Sequence, residues 1–163
     1  MIRIVRCIRS GLLVLIAGIV TPGLQGQTLT DRSLGRDTLF VRIVGIEYER
    51  MGQLKVSVYD SEENWLKKGF ELRVATLDVG DQAQLTLSFP DLKTSNTLAV
   101  TILHDVNDND KLDFRWFPPI PLEGSGMSNN HRRMGAPLYE PARLNPELGN
   151  GPISIEMVYY GSF

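Results

Sequence analysis

Past position 7 the chain contains no cysteine, and Cys7 itself sits among Arg3, Arg6 and Arg9, ahead of the apolar run Gly11 to Val20. A lipid-attachment cysteine would follow such a run. The absence excludes a disulfide framework, a thiol nucleophile, a CxxC redox pair and a cysteine zinc site from the body of the protein. Histidine is nearly as scarce, with only His104 and His131. No uninterrupted apolar stretch reaches the roughly 20 residues that crossing a hydrocarbon core requires. Long 3.6-residue periodicity, a fixed-period repeat and a concentrated basic patch are missing too, and the last of these argues against a nucleic-acid surface.

What is present begins with a positive segment, then the short apolar run, then Pro22 and Gly23. That order predicts a cleavable signal peptide over residues 1–26, cut near Gly26, and an extracytoplasmic (periplasmic or secreted) product. An uncleaved N-terminal anchor is the weaker alternative. The remaining 137 residues suit one domain, since domains most often hold about 100 to 150 residues. They carry 14 basic and 19 acidic residues, a net charge of −5 with His neutral.

Residues 27–37 are polar and aperiodic and predict a flexible lead-in, leaving 38–163 for the domain. Thr38 to Tyr48 is dense in Leu, Phe, Val and Ile. Leu54, Val56 and Val58 alternate with Lys55 and Ser57, as a half-buried strand requires. The same period of two recurs at Leu85, Leu87 and Phe89 and at Ile153, Ile155 and Met157; Leu98 to Leu103 reads as a central strand and Phe70 to Leu77 as a weaker one. A hairpin turn is expected at Arg50, Met51 and Gly52, and a short helical turn at Ser61 to Lys68. Six or so short strands predict an all-β fold, an antiparallel β-sandwich of immunoglobulin-like or prealbumin-like type, with one long irregular region from Asp105 to Leu148 that holds most of the nine prolines.

Within that region, Asp105 to Asp113 places four carboxylates and two side-chain amides in nine residues. Calcium takes six to eight hard oxygen ligands, and alternate spacing lets a curled loop aim several of them at one centre. Asp105, Asn107, Asn109 and Asp113 have that spacing, with the Lys111 carbonyl between. Against the helix-flanked calcium pattern, Asp110 replaces the glycine and Trp116 the closing acid, a gap that Glu123 would fill by folding in. The plain reading is that Asp and Asn form turns with their own backbone.

Four pieces in order resemble the bacterial exported proteins grouped as domain of unknown function 2141. They are the strand ending in His104-Asp105 with its Asn107-x-Asn109-x-Lys111-Leu112-Asp113 loop, Ile120-Pro121-Leu122-Glu123-Gly124, Gly126-Met127-Ser128-Asn129-Asn130, and Gly135-Ala136-Pro137-Leu138-Tyr139-Glu140-Pro141-Ala142. The resemblance implies an exported sandwich with no established reaction. Asn109-Asp110 departs from the Asn-Gly that such proteins typically carry.

No complete catalytic motif is present, and the chain is expected not to be an enzyme. A secreted hydrolase is the alternative, built from His104, an acid and Ser125 or Ser128, although Gly124-Ser125-Gly126 lacks the outer glycines of a nucleophile elbow. Trp116 and Phe117 are expected to lie over one open end of the core, with an exposed aromatic ridge for a sugar or a partner protein as the lesser reading. Asn129, Asn130 and His131 read as solvated loop surface, or as a polar-ligand site in the sharper version.

Overall fold

The computed structural model describes residues 38–92, 97–132, 135–144 and 151–160. The strands are β1 (Leu39–Val44), β2 (Gln53–Tyr59), β3 (Arg73–Asp78), β4 (Gln84–Phe89), β5 (Ala99–Asp105), β6 (Gly124–Met127) and β7 (Ile153–Glu156), with the four-residue helix α1 at Tyr139–Ala142. Single 3-10 turns occupy Tyr48–Arg50 and Ser128–Asn130. The expected signal peptide, 1–26, and the expected lead-in, 27–37, lie outside the described residues. Among the described residues, no helix is long and apolar enough to cross a membrane.

Two sheets form, ordered β4-β1-β7 and β3-β2-β5-β6. Every neighbouring pair is antiparallel except β1 and β7, which run parallel. The alternating positions of the sequence face inward from both sheets. Val41, Ile43 and Ile155 of the first sheet and Leu54, Val56, Val58, Val100 and Ile102 of the second share one core. This is the all-β sandwich that the period-two runs predict.

Three local expectations are corrected. Arg50 to Gly52 does not close a hairpin, because β1 and β2 lie in different sheets; the turn carries the chain across the sandwich, with Met51 and Gly52 both at positive φ. Gly52 has no room for a side chain there: a Cβ would lie 2.4 Å from the Asp105 carbonyl oxygen. Ser61 to Lys68 forms consecutive turns and no helix. The region after Asp105 is not wholly irregular, since it contains β6 and α1.

β6 is built from Gly124, Ser125, Gly126 and Met127, a sequence with little strand preference. Its glycines explain it. A Cβ on Gly124 would sit 2.2 Å from the Tyr159 ring, and one on Gly126 would sit 2.9 Å from Ile155. Their absence lets the C-terminal segment press against β6, where Ser125 and Val158 exchange backbone hydrogen bonds of 3.1 and 2.8 Å. That bridge ties the edge of the second sheet to the chain leaving β7. On the outer face of the second sheet, α1 supplies Tyr139 and Ala142 to a smaller cluster with Tyr59, Ala99, Trp65 and Met127.

Candidate functional site

The acidic loop starts where β5 leaves the sheet. The Asp105 side chain is 3% exposed and turns back under the loop, its two oxygens accepting the Asn109 and Asp110 backbone N–H groups at 3.1 and 2.6 Å. Asp108 and Asp110 take left-handed φ values of 59° and 61°, a region that Asp tolerates better than most residues. The curl this creates brings Asn107 and Asn109 over Asp113, to which both donate through Nδ2, at 2.6 and 3.0 Å. The Asn109 Oδ1 accepts the Lys111 N–H at 2.8 Å. Glu123 does fold in. It is 4% exposed, and its carboxylate accepts the N–H groups of Val106 and Asp113 at 2.9 and 3.0 Å, one near each end of the loop.

Asp110, the departure from Asn-Gly, points the other way. Its carboxylate lies between Lys55 of β2 at 2.7 Å and Lys68 at 2.9 Å, and hydrogen bonds from these ammonium groups hold its pKa down at about 2. The loop is thus pinned from inside by two buried carboxylates and from outside by two lysines. Neither lysine carried a signal in the sequence, because both act across strands distant in the chain. Among the described residues, no group of three or more His, Cys, Asp or Glu is arranged as a metal cluster.

His104 faces the core at the end of β5 and is fully buried. Its Nε2 lies 2.6 Å from the Met51 carbonyl oxygen, which only accepts, so Nε2 carries the hydrogen. Nδ1 therefore accepts from the Tyr159 hydroxyl at 2.7 Å, and the Tyr159 oxygen accepts the Glu47 N–H at 3.2 Å. Burial pushes the Tyr159 phenol up to about 12, which keeps it a donor. Arg50 lies over the Tyr159 ring, 4.8 Å from its centroid. Tyr159, the partner that fixes His104, had no motif to announce it.

The serines lie elsewhere. His104 is paired with Gly124 and Ser125 with Leu103, so Ser125 projects from the opposite face of the sheet to His104. Ser128 is fully buried beside Val100, whose N–H donates to its Oγ at 3.0 Å while the hydroxyl donates to the Ala142 carbonyl. Asn129 donates to the Pro141 and Arg143 carbonyls at 3.0 and 2.7 Å. Asn130 pairs with both Ser154 and Glu156 of β7 through its side-chain amide. Ser128, Asn129 and Asn130 are thus a clasp between β5, α1 and β7, in which Ser128 is buried while the two asparagines stay exposed and bond backbone groups across the surface. His131 is exposed.

A family described as an uncharacterised protein conserved in bacteria (DUF2141) matches residues 41–154, a span that includes this clasp and loop. The chain belongs to that family. No curated protein and no solved structure matches it. The segments that carry the resemblance fall in the scaffold of this DUF2141 domain: Gly124 and Gly126 make room for Tyr159 and Ile155, and the Gly135 to Ala142 segment sets Tyr139 against Trp65, ring centroids 5.5 Å apart. The Trp65 indole N–H donates to the Pro137 carbonyl at 2.9 Å.

Beyond the acidic loop the chain runs out and back as a small hairpin. Leu122 donates to the Asp113 carbonyl and Arg115 to the Ile120 carbonyl, both at 2.8 Å, and Phe114 bridges Pro121. Trp116 and Phe117 form its tip, 96% and 85% exposed, and the Phe117-Pro118 bond is cis. The core-lid expectation for these two rings is overturned: neither belongs to the core cluster, and both are left exposed at the end of the paired hairpin backbone.

Proposed function

We propose that this DUF2141 domain is a non-catalytic exported module that acts by presenting a braced loop face to a partner, protein or carbohydrate, and turns over no substrate. The observation that carries the reading is His104. A general base needs a free nitrogen within hydrogen-bond reach of the proton it takes. Both nitrogens of this imidazole are engaged inside the core, and neither serine offered by the sequence shares its surroundings. Assaying ester, peptide and glycoside substrates tests this directly. The expected result is no turnover; turnover that vanishes in Ser125→Ala with an unchanged melting temperature would overturn it.

A structural calcium ion in the same loop is the second reading, with Asp105, Asn107, Asn109, the Lys111 carbonyl, Asp113 and Glu123 as its oxygen donors. The return of Glu123 to the loop, supplying the acid that the Trp116 position lacks, favours it. Binding would require the Asn107 and Asn109 amides to rotate so that oxygen replaces nitrogen over Asp113. A ligand bound only to the folded form stabilises by RT ln(1 + [L]/Kd). The melting temperature in several millimolar calcium, compared with chelator, should therefore rise, and no rise would sink the calcium reading while leaving the non-catalytic one standing.

A further inference from the structure

The hairpin tip raises a separate question, because Trp116, Phe117 and the 54% exposed Phe114 leave a cluster of apolar surface on one projecting element. Of the other exposed apolar side chains, Leu66, Phe70 and Val74 are spaced along residues 66–74 and are 42%, 60% and 46% exposed, less than the two rings of the tip, and Phe40, Met51, Leu138 and Tyr160 lie on separate segments. Single exposed apolar residues are ordinary; a projecting aromatic cluster marks an interaction site.

The composition of the tip narrows the partner. From Phe114 to Leu122 the sequence is Phe, Arg, Trp, Phe, Pro, Pro, Ile, Pro, Leu, with no hydroxyl, amide or carboxylate side chain to bond the hydroxyls of a sugar. Pro118, Pro119 and Pro121 have no N–H, and the Arg115 and Leu122 N–H groups are already bonded across the hairpin. The N–H groups of Phe114, Trp116, Phe117 and Ile120 are left to solvent, and because each unsatisfied group is costly in an apolar medium, the tip suits the hydrated boundary of a bilayer and not its hydrocarbon centre. Tryptophan and phenylalanine with one cation, on a proline-rich backbone with few donors to begin with, match the boundary between headgroups and acyl chains.

The charges are layered to fit. At about 3.3 Å per residue, Arg115 lies roughly 7 Å and Asp113 roughly 13 Å behind Phe117 along the hairpin. A headgroup layer is about 5 to 7 Å thick on each side of the hydrocarbon core. With the rings at the acyl boundary, Arg115 meets the phosphates, while the mixed charges of the exposed Asp108 and Lys111 and the half-buried Asp113 remain behind it, toward the outer edge, where a zwitterionic lipid carries its ammonium group.

We propose that the Arg115-Trp116-Phe117-Pro118-Pro119 tip is a lipid-anchoring wedge that inserts into a zwitterionic lipid surface. This goes beyond the non-catalytic reading and stands on the hairpin alone. The chain has two tryptophans, and Trp65 is packed between Tyr59 and Tyr139. Tryptophan emission of the full chain, with phosphatidylcholine vesicles added, should shift to the blue and be quenched by brominated acyl chains, and both changes should vanish in Trp116→Phe. Vesicle partitioning should fall about tenfold or more in Trp116→Ser/Phe117→Ser, as expected for exposing even one large apolar side chain. Phosphatidylglycerol vesicles should bind more weakly, because residues 27–163 carry 14 basic and 19 acidic residues, a net charge of −5 that an anionic surface repels. Unchanged Trp116 emission at millimolar lipid, equal partitioning of the double variant, stronger binding to the anionic vesicles, or a shift with soluble oligosaccharides and none with vesicles would each overturn the proposal.

Discussion

Two neighbouring stretches, the loop Asp105 to Asp113 and the hairpin Asp113 to Leu122, drew attention in the sequence for opposite reasons, and the structure disposes of them in opposite ways. The acidic loop is braced from within: Asp105 and the returning Glu123 accept its backbone N–H groups, and Asp110 and Asp113 are met by lysine and asparagine side chains. The aromatic hairpin turns outward and leaves its rings uncovered. A polar cluster can satisfy itself, because each acceptor finds a donor within a few residues. An apolar tip cannot, since only burial against something else removes its surface from water. Richness in charge therefore identified scaffold here, and richness in apolar surface identified the free face.

The sharpest way to break this contrast is Asp105→Ala, which leaves the Asn109 and Asp110 N–H groups without their acceptor beneath the loop. Hydrogen bonds to a charged group contribute about 1.5 to 3 kcal/mol each, so a loss of about 3 kcal/mol in a denaturant melt is expected. A loss below about 1 kcal/mol would show that the loop does not depend on its inward carboxylate. Gly124→Ala comes next, at about 1 to 3 kcal/mol by overpacking against the Tyr159 ring. Its effect should shrink in a Tyr159→Leu background, and equal losses in both backgrounds would place the cause elsewhere.

A smaller effect belongs to Asp110. Its pKa is held at about 2 by Lys55 and Lys68, below the usual value of 3.8, so its contribution is fully present above that value and is lost as pH falls toward 2. Melts of the native chain and of Asp110→Asn should differ at pH 5 and converge between pH 4 and 2. A constant gap would remove the lysine pair from the account. Smallest of all, Trp116→Ala should change stability by no more than about 0.5 kcal/mol, as surface substitutions usually do. A large loss would mean that the ring is packed after all.

The strands were legible where alternation was strong. Leu54, Val56 and Val58 and Leu85, Leu87 and Phe89 announced β2 and β4 within a residue or two, because one buried face imposes a period of two. β6 was not legible, since its strand state comes from pairing with β5 and from the space its glycines leave for Tyr159 and Ile155. The turn at Arg50 to Gly52 was found but its meaning was not, because local turn residues do not tell whether the next strand joins the same sheet. Of the loop, the oxygen spacing and the return of Glu123 could be read; the inward direction of Asp105 could not, because it follows from the left-handed turns at Asp108 and Asp110, and the lysine pair could not, because Lys55 and Lys68 lie far back along the chain. For Trp116 and Phe117 the general tendency of aromatics to be buried gave the wrong answer, against a backbone pairing that only the folded hairpin reveals.

The parallel pairing of β1 with β7 sets a timetable. Val41 to Val44 is one-sided until Ile153 to Glu156 reaches it, more than a hundred residues later, so the three-stranded sheet is the last to be completed as the chain emerges. Contacts of that sequence separation slow folding, because the loop they close must be ordered before they reward it. The domain should therefore remain open for most of its synthesis and close in one late event, when its final strand meets its first.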